Sequence, residues 1–289
     1  MPMIKRAYLE ITNVCNRACA FCPGCKREKR FLSPLEFARL ASKLRPHTDY
    51  LYLHVMGEPL FHPLLAEILK EGREQGFKLT ITTNGTLLKD RLALLLFEKP
   101  YKVNISLHSF EANGKREEGY FENCFEGAKC LAEGGTIIVL RLWNADGDLP
   151  GINSENEQIL ALLKEYFPGE WKKNSKGYTL ADHLYLEFDR RFLWPSKDGQ
   201  EIRKKGRCHG LIDQIAVLCD GTVVPCYLDG EGELALGNLF ESDLDTILES
   251  PRAKRMKEGF LCAGILHEHL CRTCGYACRF DKGSRFDKG

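Results

Sequence analysis

Residues 6–22 read RAYLEITNVCNRACAFC, and this stretch predicts both a strand and a metal site. Residues 6–12 are rich in strand formers, which favours a buried β-strand. The loop that follows contains Cys15, Cys19 and Cys22. Three closely spaced thiolates can wrap one face of a cuboidal iron–sulfur cluster, for which cysteine is the usual ligand. A zinc knuckle would use the same residue type, so this spacing alone leaves both metals open.

The strand pattern recurs through the first two thirds of the chain and alternates with helical patterns. Strands are predicted at 50–55, 77–82, 102–107, 136–142 and 183–188, and helices at 34–44, 63–75, 89–97, 121–133 and 155–167. Repeated βα units indicate a parallel sheet with right-handed crossovers. Six units are fewer than the eight of a closed barrel. The predicted fold class is therefore α/β, a partial (βα)6 TIM-like barrel, with its chemistry at the carboxyl ends of the strands.

A second set of cysteines follows the last predicted strand: Cys208, Cys226, Cys271, Cys274 and Cys278. A hairpin is predicted at 215–224 and a short helix near 244–248. These features predict a small Cys-rich, metal-bound C-terminal β-hairpin and helix domain. We divide the chain into the barrel (1–190), a lid with the Cys-rich domain (191–280) and a disordered tail (281–289). Cys219 and Cys262 are expected to pack as small apolar side chains.

Composition excludes several classes of protein. The 289 residues include 41 Lys and Arg against 40 Asp and Glu, and a net charge of +1 argues against a long nucleic acid as partner. No apolar run approaches the ~20 residues that cross a bilayer, and the N-terminus lacks the apolar core of a signal peptide. We therefore expect a cytoplasmic protein with no membrane partner. In a reducing cytosol, 13 cysteines indicate metal binding or catalysis rather than disulfides.

Four segments at successive strand ends resemble the motifs of the radical S-adenosylmethionine (SAM) superfamily. The cysteine loop has an aromatic residue, Phe21, before its third cysteine. Residues 56–59 (MGEP) are similar to the family's GGEP motif, with Met56 in place of the first glycine. Residues 82–85 (TTNG) are similar to its TNG segment, and residues 104–108 (NISLH) place Ser106 at its ribose contact. The resemblance covers residues 8–188.

This resemblance implies that Cys15, Cys19 and Cys22 hold a [4Fe–4S] cluster whose fourth iron binds SAM. An electron from a donor such as flavodoxin or ferredoxin would then cleave SAM to a 5′-deoxyadenosyl radical, which abstracts hydrogen from a substrate. Eight further residues are expected to contact SAM: Phe21 at the adenine, Gly57, Glu58 and Pro59 at the amino group, Asn84 and Ser106 near the ribose, and Arg141 and Asn144 at the end of the fifth strand.

The C-terminal segment resembles the SPASM or twitch appendage of the same superfamily, through residues 220–226 (DGTVVPC) and 237–239 (GNL). The shorter twitch form binds an auxiliary [4Fe–4S] cluster through four cysteines, which map onto Cys208, Cys226, Cys271 and Cys274. Zinc remains the alternative metal. Cys278 is either a spare thiol or a replacement for one of the four. The site either supports the fold or takes part in electron transfer or substrate ligation.

Overall similarity, in residues 54–63 (HVMGEPLFHP), 141–144 (RLWN) and 229–240 (DGEGELALGNLF), is to the queuine lyase group. It implies a nucleotide substrate, queuosine 5′-phosphate, from which queuine is released. The side chains considered for the substrate are His54, His108, Arg141, Trp143, Asn144, Glu187, Asp189, Arg190 and the basic run 203–207.

Two alternatives stay open. One is a SPASM enzyme that crosslinks or epimerises peptides, although a first strand starting near residue 6 leaves no room for an N-terminal peptide-recognition domain. The other is a non-catalytic iron–sulfur or zinc protein, which the GEP and TNG matches oppose because a carrier needs no SAM pocket.

Overall fold

One mixed sheet of eleven strands runs through the computed structural model, which describes residues 4–109, 118–145, 154–262 and 264–280. The strands are β1 (Arg6–Leu9), β2 (Tyr50–Tyr52), β3 (Lys78–Thr83), β4 (Lys102–Ser106), β5 (Ile137–Ala145), β6 (Lys172–Asn174), β7 (Gly177–Ala181), β8 (Leu184–Arg190), β9 (Gln214–Val217), β10 (Thr222–Val224) and β11 (Gly237–Asn238). The helices are α1 (Pro34–Leu44), α2 (Leu65–Glu74), α3 (Leu88–Glu98), α4 (Tyr120–Glu133), α5 (Ser154–Tyr166), α6 (Leu244–Leu248), α7 (Pro251–Leu261) and α8 (His269–Thr273).

The strand order is β11-β10-β9-β1-β2-β3-β4-β5-β8-β7-β6. The six central strands, β1 to β5 and β8, pair in parallel, as the partial (βα)6 barrel predicts. β9 also pairs in parallel with β1, while the outer strands at both ends are antiparallel. The sheet therefore continues without a break from the barrel into the C-terminal segment.

Local sequence explains the best-predicted element. α1 begins at Pro34 after Ser33, whose hydroxyl accepts a hydrogen bond from the Glu36 amide while the Glu36 carboxylate accepts one from the Ser33 amide. This capping box satisfies amides that have no partner inside the helix. Phe37 and Leu40 lie on the face that packs on the sheet. The observed helix has the bounds that the sequence predicts.

The sequence does not predict the hairpin of β6 and β7, because β6 (KKN) has no apolar residue and β7 (GYTLA) is only five residues long. It also does not predict α7 and α8. Among the described residues, no helix combines the length and apolar content needed to cross a bilayer. The predicted tail at 281–289 lies outside the described residues.

The two faces of the central sheet differ in polarity. Residues such as Leu51 and Leu140 point to the helices and are fully buried in the main apolar core. The alternate residues form the inner face of the barrel. This face carries polar and aromatic side chains, among them Tyr8, His54 and Arg141. Because side chains alternate along each strand, the same strands build the core and line the interior.

Candidate active site

The first cysteine loop follows β1 and is accessible to solvent. Cys15 and Cys22 are exposed and Cys19 is half-buried, and the amide of Cys22 donates to the carbonyl of Cys19 at 2.9 Å. Partial desolvation raises the pKa of Cys15 and of Cys22, and charge on the neighbouring thiols raises it further. Like-charged thiolates this close favour binding a cation. The three predicted ligands therefore lie in one loop and interact electrostatically, but among the described residues their thiols do not converge on one ion-sized point.

The GEP turn packs directly on the segment that precedes Cys15. Gly57 has φ +76°, and a Cβ atom at this position would lie 2.4 Å from the carbonyl oxygen of Thr12 and 2.8 Å from that of Val14. The amide of Glu58 donates to the same Val14 carbonyl at 2.9 Å. Only glycine fits both this backbone conformation and this close approach. Pro59 is buried and begins the 3₁₀ turn that follows.

The carboxylate of Glu58 ties the GEP turn to the TNG loop. It is 2% exposed and accepts hydrogen bonds from the amides of Leu60 (3.0 Å) and Asn84 (2.7 Å). Burial raises the pKa of Glu58 to about 7. In the structure the Glu58 carboxylate is bonded to backbone amides. Its contact with the amino group of SAM therefore stays a prediction.

Asn84 links the TNG loop to the cysteine loop. Its Nδ2 donates to Oδ1 of Asn16 at 2.9 Å and lies 4.0 Å from Sγ of Cys15. Its Oδ1 accepts from the amide and the hydroxyl of Thr86, and Nδ2 of Asn16 donates to that hydroxyl at 2.8 Å. Three segments that are distant in sequence therefore meet in one polar network beside the cysteines.

Phe21 packs on His108, with ring centroids 5.1 Å apart. The Nδ1 atom of His108 lies 3.1 Å from the Arg141 carbonyl and 3.3 Å from the Trp143 amide. Burial lowers the pKa of His108 to about 4, so the ring is neutral at physiological pH. Ser106 is the register partner of Arg141 on the adjacent strand, and both face the interior. These residues form one side of the predicted SAM pocket.

The prediction that Asn144 faces SAM is wrong. Its amide exchanges two hydrogen bonds with the amide of Asn156 on α5, each of 3.0 Å, and both residues are buried. Alternation along β5 explains this, because Asn144 shares the helix-facing side with Leu142 while Arg141 and Trp143 face inward.

A stack of tyrosines, which sequence reasoning missed, lines the interior. Tyr8 lies between Tyr52 and Tyr227, with centroid distances of 4.8 and 4.6 Å and nearly parallel rings. His54 meets the edge of Tyr8 at 5.4 Å, and burial lowers the pKa of His54 to about 3. Tyr227 belongs to the C-terminal segment, which thus closes over the barrel. The available signal was the alternation of Tyr50, Tyr52 and His54, together with Tyr8 in the first strand.

The remaining substrate candidates differ in their surroundings. The Arg141 guanidinium lies 4.3 Å from the Trp143 ring, and its Nε has no hydrogen-bond partner among the described residues. Glu187 is the register partner of Arg141 and shares its inward face. Asp189 pairs with Arg279 at 2.6 Å.

The basic run 203–207 does not form one surface. Arg203 is buried at the wall of the cavity between the C-terminal cysteines. Lys204, Lys205 and Arg207 are exposed. Since the charges diverge, the run does not make one phosphate clamp.

Four cysteines of the second set line one cavity: Cys208, Cys226, Cys271 and Cys274. Burial raises the pKa of each of these thiols. The four do not converge on one ion-sized point in the part of the chain that is described. Space enclosed by four thiols fits a cuboidal cluster, which needs four cysteine ligands.

Cys278 lies outside this cavity. It is exposed, and its Sγ is 3.9 Å from the carbonyl of Cys274. Cys219 is buried, but its Sγ lies 3.7 Å from Nη1 of Arg27, so it does not pack only against apolar groups. Cys262 lies exposed at the end of α7, so the expectation that it packs as a small apolar side chain is wrong.

Two family models match the two parts of the chain that contain the cysteine sets. Residues 9–148 match the family model of the radical SAM superfamily, and residues 208–275 match that of SPASM, an iron–sulfur cluster-binding domain. These descriptions imply [4Fe–4S] clusters and thereby favour iron–sulfur over zinc at the second site.

Among curated proteins, the antilisterial bacteriocin subtilosin biosynthesis protein AlbA of Bacillus subtilis is 24% identical over 280 residues. The alignment covers 88% of this chain but 62% of AlbA, so the chain spans less than two thirds of that relative.

Solved structures share the fold at low identity. BtrN in complex with AdoMet (SAM) and 2-DOIA superposes with a TM-score of 0.60 and 16% identity, covering 95% of this chain and 94% of BtrN. Streptococcus suis SuiB bound to precursor peptide SuiA superposes with a TM-score of 0.63 and 17% identity, covering 95% of this chain and 70% of SuiB.

Proposed function

We propose that this chain, a radical SAM enzyme with a C-terminal SPASM domain, abstracts hydrogen from a substrate held against the inner face of its barrel. The observation that carries the proposal is the network around Asn84. Its side chain contacts Asn16 in the cysteine loop, and its amide donates to Glu58 in the GEP turn. A cysteine loop that only held metal would have no need of these two other loops at its side.

In this proposal Cys15, Cys19 and Cys22 hold three irons of a [4Fe–4S] cluster, and Gly57, Asn84 and Ser106 are among the residues that hold SAM. When bound, this group supplies a 5′-deoxyadenosyl radical after one electron from a donor such as flavodoxin or ferredoxin. The chain contributes orientation and the exclusion of water. Gly57 allows the close approach of the turn, and Tyr227 helps to close the barrel.

A peptide is the substrate class that the comparisons favour. The chain aligns over 88% of its length with AlbA, a bacteriocin biosynthesis protein. It also shares the fold of SuiB, which was solved with a precursor peptide. On this proposal the enzyme modifies a peptide by a radical reaction, such as a crosslink or an epimerisation.

A nucleotide is the second candidate, and the tyrosine stack favours it. Both faces of Tyr8 are covered by its neighbours, so the outer faces of Tyr52 and Tyr227 are the ones on which a planar base would stack. The Nε of Arg141, which has no partner in the described residues, could bind a phosphate. On this proposal the enzyme is a lyase that releases queuine from queuosine 5′-phosphate after hydrogen abstraction from the ribose.

The experiment that tests the chemistry is anaerobic reconstitution with iron and sulfide, followed by dithionite and SAM. We expect 5′-deoxyadenosine by mass spectrometry, and none from a Cys15→Ala control. Wild-type protein that binds both clusters and forms no 5′-deoxyadenosine contradicts the proposal.

The substrate is tested in two parallel arms. One arm receives queuosine 5′-phosphate and is analysed for free queuine. The other receives synthetic peptides encoded beside the gene and is analysed for crosslinks, through the loss of two hydrogens, or for epimers. A product in one arm alone identifies the substrate class, and no product in either arm overturns both substrate proposals while leaving SAM cleavage intact.

A further inference from the structure

A buried ion pair joins the cysteine loop to the SPASM segment. Glu10, at the end of β1, is fully buried. The Nη2 atom of Arg27 lies 2.7 Å from both of its carboxylate oxygens. The same oxygens accept hydrogen bonds from the amides of Met56 and Cys219, each at 3.0 Å. One carboxylate therefore connects β1, the end of the cysteine loop, the GEP turn and the hairpin after β9.

Arg27 also contacts the SPASM segment directly. Its Nε donates to the carbonyl of Gly230 at 2.7 Å, and the neighbouring Lys26 amide donates to Oε1 of Glu231 at 2.8 Å. Gly230 in turn packs on Met56, since a Cβ at position 230 would lie 2.7 Å from the Met56 Cγ. Met56, which replaces the first glycine of the GGEP motif, thus contacts the SPASM segment.

We infer that Glu10 and Arg27 are positioning residues through which the SPASM segment sets the geometry of the SAM pocket. A buried carboxylate needs a paired cation, so removal of Arg27 leaves Glu10 without compensating charge. The amides of Met56 and Cys219 then lose their fixed acceptor as the carboxylate moves. Met56 immediately precedes Gly57, so a shift there displaces the turn that lies against the residues before Cys15.

The pair acts through the cofactor pocket and not through the auxiliary site. Cys219 is not among the residues that line the cavity between the four C-terminal thiols. Arg252 offers a matched control within the same domain. It forms a bidentate pair with Glu268 (3.1 and 3.0 Å) and donates to the carbonyl of Ala235 at 2.9 Å. Like Arg27 it binds one carboxylate and one backbone carbonyl, although its carboxylate is less buried, and it has no contact to the cysteine loop.

The test compares Arg27→Met, Arg27→Lys and Arg252→Met in the reconstituted full chain. SAM affinity and the change that SAM causes in the electron paramagnetic resonance signal of the reduced N-terminal cluster are measured for each. We expect at least tenfold weaker SAM binding and an altered signal for Arg27→Met, with partial recovery for Arg27→Lys. Arg252→Met should match the wild type, and all three should keep the iron of the auxiliary cluster.

Glu10→Gln closes a double-mutant cycle. If Arg27 acts through Glu10, Arg27→Met should cost less SAM affinity in the Glu10→Gln background than in the wild type. Unchanged SAM affinity and signal in Arg27→Met overturn the inference, as does equal weakening by Arg252→Met. If Arg27→Met loses the iron of its auxiliary cluster, the inference is judged from the SAM affinity and the signal of Arg27→Lys. The inference rests on the proposed function in one respect, that the chain binds SAM. A wild-type chain that binds no SAM contradicts the proposed function and not the role of the Glu10–Arg27 pair.

Discussion

Gly57→Ala is the substitution that most directly tests the geometry of the SAM pocket. The added Cβ would lie 2.4 Å from the Thr12 carbonyl oxygen, whereas ordinary contacts begin at 3.4 Å. The GEP turn and the Thr12–Val14 backbone must therefore separate by about 1 Å. The left-handed backbone at φ +76° adds about 1–2 kcal/mol for a residue with a side chain.

This displacement falls between the predicted cluster ligands and the predicted SAM contacts. A misplacement of about 1 Å can reduce a rate by about 100-fold. We therefore expect Gly57→Ala to lose 5′-deoxyadenosine formation on that scale and to bind SAM more weakly. Anaerobic turnover with mass spectrometry measures the first, and equilibrium SAM binding measures the second.

Gly135→Ala is the matched control, because Gly135 has φ +89° and no atom lies within 4 Å of the position that an added Cβ would take. Gly135→Ala has the free-energy cost of the left-handed backbone without a steric clash. We therefore expect it to lower only the free energy of unfolding, measured with urea. The reasoning is refuted if Gly57→Ala and Gly135→Ala have the same SAM affinity and the same rate of SAM cleavage.

Three further outcomes are expected. Cys226→Ser should lose the iron of the auxiliary cluster and keep that of the first, whereas Cys278→Ser should keep both by iron analysis; equal losses would contradict the ligand set. The pKa of His108 is about 4 in the folded chain and about 6.5 in the unfolded chain. Between these two values the unfolded chain binds a proton at His108 that the folded chain does not bind. Stability should therefore fall as pH drops, by about 2 kcal/mol at about pH 5, and urea unfolding of His108→Gln should lack that part of the slope. Asn144→Ala should leave the Asn156 amide poorly satisfied and cost about 1–3 kcal/mol in urea unfolding, with unchanged SAM binding; weakened SAM binding would restore Asn144 to the pocket.

Local patterns were sufficient to predict the central part of the architecture. The βα alternation predicted the six parallel strands, and the helical pattern at 34–44 predicted the bounds of α1. The order of the cysteine loop, the GEP turn and the TNG loop predicted which segments meet. These predictions succeed because strand and helix periodicity is a property of neighbouring residues.

The direction in which side chains point was harder to predict. Arg141 and Asn144 end the same strand, yet only Arg141 faces the interior. Strand alternation separates the two faces but does not tell which face packs on helices, because that depends on the elements above and below the sheet.

The sequence by itself determined the chemistry that is available: two sets of cysteines, a Gly-Glu-Pro segment after the second strand, and a parallel sheet to align them. Only the tertiary structure decided how these parts are joined. The Glu10 carboxylate accepts a hydrogen bond from the amide of Cys219, 209 positions away, and the ring of Tyr8 stacks on that of Tyr227. Such contacts leave no periodic trace in the sequence, because each depends on the chain returning to β1 through the pairing of β9.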